Sequence, residues 1–252
     1  MNIKPNVNLL AFDTSTEYLS LAIMKGDEFF TFDINAGQTH SQIILPKIQA
    51  LLDKASLQLS DLHGIAFGSG PGSFTGVRIA AGVAQGLGFG TKLPVVAIST
   101  LLALAEASGA EKVIACLDAR MGEVYGGAYA WHEDAGQWQA TVPLQVGPPA
   151  QVAEALVTQS SSGVFAGNGF EVYADAFAAS LTARHSQPIQ CVPAVPHALA
   201  LLRLAPALWT AGKAVAPEGV HPLYIRDKVA QTTAEREAIK ASKVAGATSG
   251  AA

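Results

Sequence analysis

Charge is scarce in this chain: 14% of its 252 residues are Asp, Glu, Lys or Arg, where an ordinary globular chain carries about 25%. Half of the residues are hydrophobic, and the mean hydropathy is +0.29. Intrinsic disorder as a general state is excluded, because it needs low hydrophobicity and high charge. Some apolar surface is expected to exceed what one small core hides, leaving area for a partner. A basic excess is lacking too. Sixteen Lys and Arg against 20 Asp and Glu give a net charge of −4, so tight stand-alone binding to RNA or DNA is not expected.

Cysteine is nearly missing. Cys116 and Cys191 each sit in an apolar run and are predicted to be buried free thiols. No Cys-x-x-Cys pair exists, which excludes a zinc knuckle and a thioredoxin-type motif. The six histidines show neither H-E-x-x-H nor H-x-x-x-H, so no metal site is built from one helix face; each is read as a surface or capping residue. No G-x-S-x-G elbow and no Walker lysine occur. No apolar run reaches the roughly 18 residues of a membrane span. The N-terminal apolar patch is broken by Asp13 and Glu17, unlike a signal peptide. A cytoplasmic protein of one to two domains is expected.

Periodicity supplies the elements. Strands are predicted at residues 7–12, 18–24 and 28–34. A helix over 39–55 follows, with Thr39 and Gln42 at capping-box spacing and Pro46 inside. Its apolar stripe is Ile44, Ile48, Leu51 and Ala55, while Leu45 and Leu52 lie off the stripe. Gly64–Phe67 is a strand that runs into a glycine-rich loop and a long helix over 74–90. A strand at 94–98 precedes a helix capped by Ser99.

The second half begins again, with strands at 112–117, 123–131 and 137–142, a helix opened by Pro148-Pro149, and a strand at 164–166. Asp13 and Asp118 each close a first strand, 105 residues apart; Phe67-Gly-Ser-Gly70 and Ala166-Gly-Asn-Gly169 each open a helix, 99 residues apart. Near-equal offsets argue for duplicated βββαβα halves, against coincidence between common α/β elements. An Asp after the first strand of such a unit is the pattern of actin-like ATPase domains. The division expected is 1–108, 109–230 and an exposed, partly disordered tail at 231–252.

Several motifs bear on chemistry. Asp13-Thr14-Ser15-Thr16 has the residue types that hold a hydrated metal and meet phosphate, but Asp, Ser and Thr also cap turns. Gly68-Ser-Gly70-Pro-Gly72-Ser73-Phe-Thr-Gly76 lacks the third glycine of G-x-G-x-x-G; it offers amides to an anion or simply permits close backbone contact. Asp118-Ala-Arg120 and Tyr125 read either as an acid with partners or as a hairpin with a surface ion pair. Gly82, Gly86 and Gly90 recur every four residues. Each costs about 1 kcal/mol against Ala in a helix, so the smooth strip they make needs a close neighbour. That neighbour is the 39–55 helix or a partner.

The strings Leu10-Ala-Phe-Asp13-Thr-Ser-Thr16, Gly68-Ser-Gly70-Pro-Gly-Ser-Phe-Thr-Gly-Val-Arg78-Ile, Ile98-Ser-Thr100, Asp118-Ala-Arg-Met-Gly-Glu-Val-Tyr125 and Pro222-Leu-Tyr-Ile-Arg226 stand in the order seen in the bacterial TsaB (YeaZ) family, which the chain resembles from about residue 8 to 230. The resemblance implies an α/β, actin-like ATPase fold (ASKHA, ribonuclease H-like) with two βββαβα halves, the second reduced. It implies a non-catalytic subunit of the complex that makes threonylcarbamoyladenosine beside the anticodon of ANN-decoding tRNAs. In that system TsaC makes threonylcarbamoyl-adenylate, TsaD transfers the group, and the ATPase TsaE joins them. TsaB holds its paralogue TsaD in a competent state.

The resemblance further implies a docking face from Ile44, Leu45, Ile48, Leu52, Phe74, Arg78, Ile79, Gly82, Gln85 and Gly86. The same face would self-pair into a homodimer when TsaD is absent. Tsa-type phosphate loops are expected as vestiges at Asp13, Ser15, Thr16, Gly70, Gly72, Ser73, Asp118, Gly167 and Gly169. No catalytic residue or metal ligand is assigned. ATP and Mg belong to the complex, tRNA is met only through it, and no membrane is involved. Where TsaD-like helices carry H-x-x-x-H, this one has only His40. Two rival readings are an actin-fold phosphotransferase using Asp13 and the glycine loops, and a metallopeptidase of the kind once proposed for relatives of TsaD.

Overall fold

The computed structural model describes residues 7–159, 163–182, 191–192 and 194–226. The expected tail at 231–252, like His185, lies outside the described residues. Strands β1 (Asn8–Asp13), β2 (Tyr18–Lys25) and β3 (Glu28–Asn35) form a meander. Helix α1 (His40–Ala55), strand β4 (Gly64–Gly70), helix α2 (Phe74–Thr91), strand β5 (Val95–Ser99) and helix α3 (Thr100–Ala107) complete the first half. The second half has strands β6 (Lys112–Arg120), β7 (Glu123–His132) and β8 (Gln137–Gly147), helix α4 (Pro149–Gln159) and strand β9 (Val164–Ala166). Helices α5 (Gly169–Val172) and α6 (Ala174–Thr182), strand β10 (Cys191–Val192), helix α7 (Ala198–Thr210) and strand β11 (Ala214–Val215) follow.

Duplication is visible in the pairing. The first sheet runs β11-β5-β4-β1-β2-β3, and the second runs β10-β9-β6-β7-β8. In each, the first three strands pair antiparallel, and the first strand pairs parallel with the fourth. The first turn repeats as well. The Ser15 amide donates to Asp13 Oδ1 at 2.8 Å, and the Arg120 amide donates to Asp118 Oδ1 at 2.8 Å. This is the duplicated actin-like α/β architecture.

Period-2 alternation explains how one sheet serves two cores. Leu10 and Phe12 face α1 and α2, while Leu9 and Ala11 face the side covered by α7 and Ala103 of α3. Leu101, Leu104 and Ala105 of α3 pack on Val113, Ala115 and Leu117 of β6. Helix α3 is therefore sandwiched between the two sheets. On the far side, Val152, Leu156, Phe170 and Phe177 cover the second sheet.

The structure corrects some local expectations. Division at residue 108 marks the repeat but not the packing, because α7 returns to the first sheet and β11 pairs with β5 there. The Ala198 amide donates to Ser20 Oγ at 2.7 Å, which pins α7 to β2. Thr39 makes no side-chain cap; at φ −97 and ψ 7 its hydroxyl instead donates to the Ala36 carbonyl at 2.8 Å. Ser99 occupies the cap position of α3 without a side-chain cap bond. Pro46 leaves α1 unbroken, since it and Gln42, whose carbonyl it frees, lie on the exposed face. Cys116 is buried as expected, but Cys191 is exposed because β10 is a two-residue edge strand.

Candidate functional site

Between the halves lies a cleft of about 740 Å³, walled by the β1–β2 turn, the β4–α2 loop, the β6–β7 turn, Asn168 and residues 223–226. Ser15, Thr16, Gly72, Ser73 and Asp118 line it. Asp13 does not reach it. Asp13 Oδ1 accepts from the Ser15 amide at 2.8 Å and from Ser15 Oγ at 2.6 Å. Its Oδ2 is buried with no partner and faces Gly68, where a Cβ would stand 1.8 Å away. His40 Nε2 is likewise buried and unpartnered.

The loop glycines serve contact between chain segments. A Cβ at Gly72 would meet the Ser15 carbonyl oxygen at 2.5 Å, and one at Gly76 would meet the Thr14 carbonyl oxygen at 1.9 Å. The Ser73 amide is spent on the Ser15 carbonyl at 2.7 Å, and Thr14 Oγ1 donates to the Gly76 carbonyl at 2.7 Å. Gly70 adopts φ +112 and packs beneath the Leu223 carbonyl. These residues do not fit a magnesium nucleotide. The acid is sealed, and a loop amide that would meet phosphate is occupied.

Sealing has an energetic cost. Burial, opposed by the Ser15 hydrogen bonds and the charge of His40, pushes the Asp13 carboxyl up from 3.8 to about 6. The folded state therefore keeps a proton over a range where the unfolded chain has lost it. Stability should fall as pH rises from about 4 to about 6, with the full penalty at pH 7, roughly 3 kcal/mol at 1.36 kcal/mol per pKa unit. Asp13→Asn keeps the acceptor oxygen without the charge. It should flatten that pH dependence, with any gain at pH 7 held below about 3 kcal/mol because its amide buries N–H donors where Oδ2 has no partner among the described residues. Urea unfolding at pH 5 and pH 7 checks this; an unchanged slope in the variant contradicts it.

The second half offers a weaker loop. Asp118 Oδ1 accepts from Tyr173 Oη at 3.0 Å, and its Oδ2 pairs with Arg120 at 3.1 Å. Gly167 and Gly169 face β6, where a Cβ would lie 2.1 Å from the Cys116 oxygen and 2.5 Å from its Sγ. The hairpin reading of Asp118-Ala-Arg120 describes this turn. The Arg120 side chain is 83% exposed, so the ion pair contributes little.

The outer helices divide the expected docking residues. Ile44, Ile48 and Leu52 are buried against the first sheet and give no surface, because Leu52 also faces the core across α1. Leu45, Phe74, Arg78, Gly82 and Gly86 are exposed, and Ile79 and Gln85 are half-buried. Among the described residues, nothing lies within 4 Å of a Cβ built at Gly82, Gly86 or Gly90. The strip is therefore not filled by α1. It faces outward along α2.

Residues 223–226 join this neighbourhood from the far end of the sequence. The Arg78 guanidinium stacks 3.3 Å from the Phe74 ring centre, and its Nε donates to Tyr224 Oη at 2.8 Å. Arg226 donates to the Ala119 carbonyl at 3.3 Å and pairs with Glu123. The Pro-Leu-Tyr-Ile-Arg string was visible in the sequence, but no local signal points to these contacts.

Comparison with known proteins agrees with this architecture. A family profile described as "TsaD: tRNA N6-adenosine threonylcarbamoyltransferase" matches residues 34–234. The chain is 38% identical to the tRNA threonylcarbamoyladenosine biosynthesis protein TsaB of Haemophilus influenzae, over 89% of this chain and 95% of that protein. It is 36% identical to the protein of the same description from Escherichia coli, over 89% and 96%. YeaZ from Pseudomonas aeruginosa superposes with a TM-score of 0.76 at 38% identity, over 86% of this chain and 99% of that one. These matches place the chain in the TsaB (YeaZ) family, within the wider TsaD-related fold.

Proposed function

We propose that this chain is the non-catalytic docking and activating subunit in the synthesis of threonylcarbamoyladenosine beside the anticodon of ANN-decoding tRNAs, with TsaD as the partner that transfers the group. The observation that carries the reading is the outward glycine strip of α2. Three helix glycines cost about 1 kcal/mol each, and no contact among the described residues offsets them. A second helix backbone packing closely there would. Supporting it, the buried Asp13, whose Oδ1 is taken by Ser15 and whose Oδ2 has no partner among the described residues, and the occupied β4–α2 loop disfavour nucleotide chemistry by this chain alone.

Docking shifts a partner between states only through contacts that differ between them. The chain thus acts by burying the α2 face and Leu45 against TsaD's competent form. TsaE and tRNA join the pair, and the isolated chain self-pairs through the same face in an isologous dimer. The setting is cytoplasmic. Two measurements test the reading: pull-down of TsaD by this chain, and tRNA modification by TsaC, TsaD and TsaE with and without it. The expected result is stable co-purification and modification that requires the chain. Equal modification in its absence overturns the proposal.

A further inference from the structure

The segment after α7 is anchored repeatedly as it crosses the molecule. β11 pairs with β5 at the sheet edge, and Pro217 lies against Gly88 of α2, where a Cβ would meet it at 2.9 Å. Val220 is buried in the core between α2 and the first sheet. The Leu223 amide donates to the Ser69 carbonyl at 2.7 Å, and Tyr224 Oη accepts from Arg78. The chain then leaves the first half and reaches the β6–β7 turn of the second.

That turn is strained. Arg120 and Met121, neither of them glycine, sit at φ +62 and +60. Such residues persist where their surroundings hold them. Within the hairpin the Arg120 amide is held by Asp118 Oδ1, and Arg226 braces the turn from outside: its guanidinium donates to the Ala119 carbonyl, lies 3.6 Å from Met121 Sδ and pairs with Glu123. The Arg226 Nε is buried with no partner among the described residues. Away from the cleft lining, the halves meet through α3, which packs on both sheets.

We propose that residues 222–226 form a clamp across the cleft mouth, in which Arg226 grips the strained β6–β7 turn of the second half while Leu223 and Tyr224 are fastened to the first. The α3 side is then the hinge, and the clamp sets how far the cleft opens. Its first-half anchor, Arg78, stands on the proposed docking helix. Whatever docks there meets a surface whose shape the clamp fixes; that consequence rests on the docking proposal, whereas the clamp does not.

Hydrogen–deuterium exchange of the isolated full chain tests it without any partner. Arg226→Ala should speed amide exchange in residues 117–124 and 222–226 by roughly tenfold or more, with β1, β2 and β4 unchanged. Arg226→Lys should fall between, because a compact ammonium cannot grip the carbonyl and the carboxylate in the same fork geometry. Unchanged exchange in 117–124 for Arg226→Ala overturns the proposal. Should Arg226→Ala fail to fold, Tyr224→Phe decides: it removes one hydrogen bond, and faster exchange confined to 222–226 supports the clamp, while none there overturns it.

Discussion

Gly76→Ala should be among the most damaging single substitutions in the first half. The added methyl would stand 1.9 Å from the Thr14 carbonyl oxygen and 3.0 Å from its carbon, both backbone atoms of the β1–β2 turn. Relief requires that turn or the start of α2 to move. Either movement breaks the Thr14 hydroxyl bond to the Gly76 carbonyl and the Ser73 amide bond to the Ser15 carbonyl, and it disturbs the turn that satisfies Asp13. Overpacking alone costs about 1–3 kcal/mol; with the lost bonds, a loss of about 4 kcal/mol or more is expected. That is a large part of a domain's total stability, about 5–15 kcal/mol. Gly86→Ala in the same helix should have the opposite sign. Its methyl meets nothing within 4 Å, so better helix propensity should add about 1 kcal/mol, a rise of roughly 2–4 °C in melting temperature. Thermal unfolding of both variants is the check. Equal effects would mean that the two glycines have the same role.

Under the proposed docking, Gly86→Arg, or Gly82→Glu, should abolish co-purification with TsaD and prevent the proposed self-pairing, while the melting temperature stays within a few degrees of the parent. A long charged side chain blocks close helix approach and would be buried unpaired in the interface, which costs several kcal/mol. The isolated fold tolerates it because the strip faces open space. Co-purification at the parent level by either variant would remove the docking face from α2. Gly86→Ala is the informative intermediate, since it stabilises the lone chain yet lifts a partner helix off the strip. Lower affinity together with a higher melting temperature is the signature of a glycine kept for an interface.

Most elements were legible beforehand because their signals are local. Alternation in residues 18–24 and the stripe of Ile44, Ile48, Leu51 and Ala55 each encode which side is buried, and those four are buried. The repeated strand-terminating Asp also emerged, as a matching turn in both halves. Leu52 shows the limit. It lies beside the stripe and reads as spare surface, yet it is fully buried, because the arc of α1 that meets the sheet is wider than the stripe.

Glycines mark the boundary most clearly. The spacing of Gly76, Gly82, Gly86, Gly88 and Gly90 is plain in the chain, and so is the cost of putting them in one helix. Their roles depend on residues far away: Thr14 opposite Gly76, Pro217 opposite Gly88, and, among the described residues, nothing opposite the other three. The same holds for Asp13, whose residue type suits a metal but whose second oxygen is shut behind Gly68, and for Arg226, which finds Glu123 from 103 positions away. Composition, hydrophobic period and the duplicated landmarks determined the fold class and the two outer helices, since each depends on neighbours within a few residues. Which acid is sealed, which glycine is free and where the C-terminal segment crosses the cleft were decided by the tertiary structure, because these are properties of the space between segments that only folding brings together.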